Sequence, residues 1–115
     1  MSSNAENATN ILAPKQGEVT VTDISAAAPV YIDFGQKYRR FVTMISDVDM
    51  YILFGEPAEL PLPDEASRSG DGQAWYVPAK TYWHCVTQRS RSVVGVVAAS
   101  GLSGTVRTFV SSHGV

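Results

Sequence analysis

From Glu18 onward, strand-like stretches of β-branched, aromatic and other apolar residues recur at short intervals, and no run repeats apolar positions at i, i+3, i+4 and i+7 for more than two turns. Period two is the signature of strands, whose side chains alternate between faces. "EVTVTDIS" alternates through Val19 and Val21 and then changes phase near Asp23, as a bulge would cause it to do. "PVYIDF" follows at Pro29–Phe34, then a "GQK" turn, "YRRFVTMIS" at Tyr38–Ser46, a "DVD" turn, and "MYILFG" at Met50–Gly55. The stretch "EPAELPLPDEASRSGDG" is too rich in proline and acidic residues to pair regularly and reads as a long loop. "QAWYV", a "PAK" turn, "TYWHCVTQ", "SVVGVVAAS", a "GLSG" turn and "TVRTFVSS" complete the chain. The pattern predicts an all-β protein of about eight antiparallel strands, arranged as a jelly-roll-like sandwich with an extended N-terminal arm. The unbroken apolar run "SVVGVVAA" predicts a strand buried on both faces, with Gly95 marking a bulge or a close backbone approach. Strand order is not written in periodicity.

Residues 1–17 are polar, rich in Ser, Asn and Ala, with one apolar island at Ile11-Leu12 and a break at Pro14. They read as an arm that a partner must fix, because ordering each backbone residue costs about 1–2 kcal/mol. Residues 18–115 then form the β-sandwich domain. One domain is what 115 residues accommodate.

Composition narrows the function classes. With 44% apolar residues the chain can build a core without covalent staples, and its single cysteine, Cys85, allows no internal disulfide and no multi-cysteine metal site. A net charge of −2 supplies no broad positive field for nucleic acid. Only 17% of residues are charged, below the roughly 25% of a typical soluble domain, so either much of the polar surface is Ser, Thr and Asn or part of the surface is covered in use. No basic–apolar leader opens the chain, and "VVGVVAAS" is far short of the ~20 residues that cross a bilayer. The expectation is a soluble intracellular product with no cofactor and neither nucleic acid nor membrane as partner.

The candidate chemistry is thin. "TYWHCV" sets His84 beside Cys85, but neighbours on a strand face opposite ways, so they form no thiolate–imidazolium pair. His113, in the glycine-flanked "SSHGV" ending, is expected to move too freely to serve Cys85 as a base. Cys85 therefore reads as a small buried hydrophobe. Asp47 and Asp49 resemble the opening of a calcium loop, but the downstream glycine and glutamate are missing, and turns use Asp for backbone bonding anyway. Asp64 and Glu65 read as solvated loop residues. Lys37, Arg39, Arg40, Arg89 and Arg91 are the basic clusters; Arg39 and Arg40 fall on opposite faces of one strand and make no stripe, so ion pairing is their expected role. No catalytic or metal residue is assigned.

Association is what remains. Trp75, Tyr76, Tyr82 and Trp83 exceed what one hairpin needs for its core, and aromatic residues and Arg are the types enriched at binding hot spots. Leu60 and Leu62, between prolines, could dock at little ordering cost. The plainer alternative is that the Trp rings fill the sandwich and the loop folds over it. The candidate protein-interface residues are Ile11, Leu12, Leu60, Leu62, Trp75 and Tyr76.

"FVTMISDVDMYILFG", "SGDGQAWYVPAKTYWHCV" and "SVVGVVAASGLSGTVRTFV", spread over Phe41 to Val110, resemble small structural proteins of tailed bacteriophages. The shared pattern is a strand, an Asp-containing turn, a strand ending in Phe-Gly, a loop, a "VPA" turn, and an apolar strand joined by a Gly turn to a Thr/Val strand. Within that group the chain resembles capsid cement or decoration proteins. The resemblance implies a virion location after synthesis in the host cytoplasm, homo-oligomers, and the major capsid protein or other virion proteins as partners. It implies no residue roles. A head–tail connector or tail ring, and a carbohydrate- or ligand-binding sandwich stacking sugars on Trp75 or Trp83, are the alternatives.

Overall fold

The eight stretches read as strands all contain one, and a ninth precedes them. A computed structural model describes residues 9–35, 39–55, 74–89 and 91–114. Among these the strands are β1 (Thr9–Leu12), β2 (Val19–Ser25), β3 (Val30–Asp33), β4 (Arg39–Ser46), β5 (Met50–Gly55), β6 (Trp75–Val77), β7 (Trp83–Thr87), β8 (Val93–Ala98) and β9 (Ser103–Gly114), with no helix. Five form one sheet in the order β1-β3-β8-β5-β6, and four form a second in the order β2-β9-β4-β7.

Both sheets feed a single hydrophobic cluster, which makes the packing sandwich-like. Ile32, Met50, Ile52, Val94 and Val96 enter it from the five-stranded sheet; Ile24, Val42, Met44, Val106 and Val110 enter from the four-stranded one. Burying a side chain of this kind contributes about 1.5–3 kcal/mol. Strand β8 is buried along its whole length, as its unbroken apolar run predicts.

Several expectations are corrected. Residues 9–17 are not a free arm: β1 pairs in parallel with β3, placing Ile11 opposite Ile32, and Ala13 N–H donates to the Asp33 carbonyl at 3.1 Å. Ile11 packs on the core, and Gly17 N–H reaches the Val110 carbonyl at 2.8 Å, so contacts within the chain hold residues 9–17 in part. Residues 1–8 lie outside the described residues. The change of phase in β2 is not a bulge, because its pairing with β9 runs without a shift from Val19↔Phe109 to Ser25↔Ser103. The irregularity lies instead between Phe41 and Val42 in the β4–β9 pair. Gly95 is also in register, opposite Tyr31 on one side and Leu53 on the other.

Nor do "QAWYV" and "TYWHCVTQ" form a hairpin. β6 belongs to the five-stranded sheet and β7 to the four-stranded one, so the "PAK" turn carries the chain between sheets. The redirection is held by hydrogen bonds: Ala79 N–H donates to Asp49 Oδ1 at 2.8 Å, and Lys80 N–H donates to the Ser46 carbonyl at 2.7 Å. His113 is not in a loose tail either; it sits in β9 opposite Arg40.

Candidate functional site

The two sheets treat their outward faces differently. On the five-stranded sheet, Leu53, Val93 and Val97 point away from the shared core yet are buried. On the four-stranded sheet many outward positions are apolar and open, interrupted by Thr43, His84 and Arg107. The register lines them up in rows. Val19, Phe109, Thr43 and His84 stand abreast across β2, β9, β4 and β7. Val21, Arg107 and Ile45 form the next row, and Phe41 with Val86 the row on the other side. Val19 is 57% exposed, Val21 56%, Phe41 40% and Val86 43%, while Tyr82, just before β7, is 63% exposed.

Aromatic rings order this face. Phe41 and His84 stack with centroids 5.8 Å apart, and Tyr82 stacks on the same imidazole at 6.3 Å. His84 Nδ1 and Thr43 Oγ1 lie 3.0 Å apart, which fixes the ring. Strand spacing near 4.8 Å and rows near 6.8 Å apart give these nine positions a projected area of about 300 Å². Patches of about 300–600 Å² are the largest that a typical monomer exposes, and they are often functional.

A second aromatic cluster lies where the β6 and β7 edges meet. Trp75 and Trp83 are tilted against each other at 5.9 Å, Phe54 meets Trp83 edge-on at 6.1 Å, and the Arg91 guanidinium lies 5.7 Å from the centre of the Phe54 ring. This cluster joins the sheet edges and leaves Trp75 half exposed.

The sequence-predicted interface residues do not form one site. Ile11 faces the core while Leu12 is exposed, both on β1; Trp75 and Tyr76 are on β6, at the opposite edge of the five-stranded sheet. Tyr76 is partly structural, since its hydroxyl donates to Asp49 Oδ2 at 2.8 Å and its ring leans on Tyr51. Leu60 and Leu62 lie outside the described residues, as do Lys37, Asp64 and Glu65. The residues missed are Val19, Val21, Phe41, His84, Val86 and Phe109, while Tyr82 stands among the surplus aromatic residues of the sequence. The phase change in β2 was their signal: without a bulge, Val19 and Val21 must face away from Ile24, out of the core.

The remaining candidates have local work. Asp47 Oδ1 accepts the Thr105 N–H at 2.8 Å. Asp49 is held below the usual carboxylate range, first by the Ala79 N–H and then by the Tyr76 hydroxyl. Cys85 is half-buried, faces the core beside Trp83, and has its thiol pushed up to about 12 by burial. His84 faces the other way, and β4 stands between Cys85 and the strand that carries His113. Among the described residues no three His, Cys, Asp or Glu side chains group closely enough to hold a metal ion. Comparisons with protein-family models, with curated proteins and with solved structures find no match to this chain.

Proposed function

We propose that the protein is a virion structural protein that works by docking the outward face of its four-stranded sheet on a protein neighbour, in the manner of the phage capsid cement proteins that the sequence resembles. The observation that carries the reading is the set of open apolar side chains on the outward face of the four-stranded sheet, whereas the middle of the other sheet's outward face, at Leu53, Val93 and Val97, is buried. A fold reading as a jelly roll supports it. The orders β2-β9-β4-β7 and β3-β8-β5-β6 are two four-stranded sheets between which the chain repeatedly crosses, the arrangement common in viral capsid domains, with β1 added at one edge.

Size argues for multiplicity. A projected patch of about 300 Å² is smaller than the ~800 Å² per partner of a standard stable interface. One contact of this kind is weak, but many copies on a shell hold together through effective concentration. A cement role, in which the major capsid protein is the neighbour and copies act in number, fits that arithmetic.

The test is whether the chain is a component of purified virions. Mass spectrometry should detect it there, and electron microscopy should place copies at fixed positions on the shell with the β2-β9-β4-β7 sheet turned inward. Virions lacking the chain, or copies docked through the five-stranded sheet, would overturn the proposal.

A further inference from the structure

One end of the exposed face carries a cleft of about 350 Å³, lined by Ile45, Asp47, Lys80, Tyr82, Thr105 and Arg107 among others. Its charge is unbalanced. Lys80 and Arg107 bring two cations against the single carboxylate of the lining, Asp47, whose Oδ1 accepts the Thr105 N–H. The lining therefore carries one net positive charge, with the exposed Asp23 beside it on β2, opposite Thr105.

A second observation singles out the same place. Lys80 has φ = 62°, the only non-glycine residue with positive φ among the described residues. It occupies the third position of the Pro78–Thr81 turn, closed by Thr81 N–H to the Pro78 carbonyl at 3.3 Å, where a type II turn calls for glycine. A side chain there is strained, and the surrounding bonds to Asp49 and Ser46 hold it in place. The turn keeps a lysine where glycine would be easier, and that lysine lines the cleft.

We infer that this cleft receives a carboxylate from the docking partner: an acidic side chain, followed or preceded by an apolar one that lies on the Phe41–His84–Tyr82 stack. The inference rests on the docking face proposed above and names the chemistry of its partner. Arg107 stands in register between Val21 and Ile45, so an extended segment crossing the face meets apolar surface and cation side by side. The guanidinium offers paired donors to a carboxylate, Lys80 a point charge, and the Tyr82 hydroxyl a further donor. Charge complementarity therefore selects an acidic, partly apolar partner surface rather than a basic one.

The experiment is a nuclear magnetic resonance titration of the full chain with a blocked tetrapeptide of alternating leucine and glutamate. Its controls are the glutamine counterpart and inorganic phosphate. The glutamate peptide should shift the amides of Lys80, Tyr82, Thr105 and Arg107 saturably. The glutamine peptide should bind about tenfold more weakly, and added salt should narrow the gap. Lys80→Gln with Arg107→Gln should equalise the two peptides while leaving the thermal transition in place. Equal affinity of both peptides for the unaltered chain, or no shift at these amides, overturns the inference. If both peptides still shift Phe41, His84 and Val86, the docking face survives and only the carboxylate cleft fails. Tighter binding of phosphate than of the glutamate peptide would make the cleft a free-anion site instead. Self-association of the chain alone, abolished by the same two substitutions, would assign it to a second copy; both results overturn the assignment to a partner.

Discussion

The Phe41 ring lies parallel to the His84 imidazole, centroids 5.8 Å apart and planes within 10°, across the β4–β7 pair and on the side away from the core. Their neighbours on the inward side are Val42, fully buried, and Cys85, half-buried. One strand pair thus packs the interior with one set of side chains and presents rings to the outside with the other. Phe41→Ser combined with Val86→Ser should cost about 1–3 kcal/mol in all, because both side chains already keep much of their surface in water. Binding of a hydrophobic dye to the folded chain should fall at the same time. Urea unfolding and dye fluorescence would check this. A loss of about 5 kcal/mol would mean that the rings belong to the interior.

Gly104 leaves room that nothing larger can use. A Cβ at this position would overlap the Asp47 carboxylate and come within 2.9 Å of Val48 Cγ1. Asp47 is pinned by the Thr105 N–H at 2.8 Å, so Gly104→Ala must displace the carboxylate and lengthen that bond. The substitution should destabilise by about 1–3 kcal/mol. Denaturant midpoints would read the loss, and amide exchange at Thr105 should quicken. An unchanged midpoint with unchanged Thr105 exchange would contradict the close approach.

Eight of the nine strands among the described residues could be read because alternation, or in β8 an unbroken apolar run, is a local property of each stretch. β1 could not: four residues, "TNIL", carry no period, and Ile11 becomes a core residue only once Ile32 is beside it. The exposed face was half legible. Val19 and Val21 announced themselves by their phase, but a bulge explains a phase change equally well, and the choice between them depends on how β9 pairs. Phe41, His84 and Tyr82 meet only because β4 and β7 are neighbours, a pairing between residues about 40 apart that no window along the chain contains. The apparent hairpin at Trp75–Val86 misled for the same reason: a tight turn can join two sheets as well as two paired strands.

Lys80 offers a stability gain that runs against its proposed role. With φ = 62°, an L side chain pays about 1 kcal/mol that glycine avoids. Lys80→Gly should therefore stabilise the fold by about 0.5–1 kcal/mol, even though a lysine and its charge are lost. Lys80→Ala keeps the strain and should show no such gain. Thermal unfolding of the two variants separates backbone from charge, and a glycine variant that melts below the alanine one would show that the turn is not strained.

Alkaline pH should weaken the fold through Cys85 and Tyr31. Burial pushes the Cys85 thiol from its ordinary 9.0 up to about 12, and raises the Tyr31 hydroxyl above its ordinary 10.0. Below pH 9 both states keep the thiol proton, and its contribution is fully present. Between 9 and 12 the unfolded chain releases that proton while the folded chain retains it. The unfolded state then binds fewer protons, so stability falls as pH rises, and Tyr31 adds the same sign above 10. The Tyr31 hydroxyl is also buried with no hydrogen-bond partner among the described residues. Tyr31→Phe should accordingly gain about 1 kcal/mol at neutral pH, where the hydroxyl is protonated in both states. Together with Cys85→Ala it should flatten the decline above pH 9. Urea midpoints at several pH values would decide the matter: parallel slopes for the double variant and the unaltered chain would show that these two groups do not govern the alkaline limb.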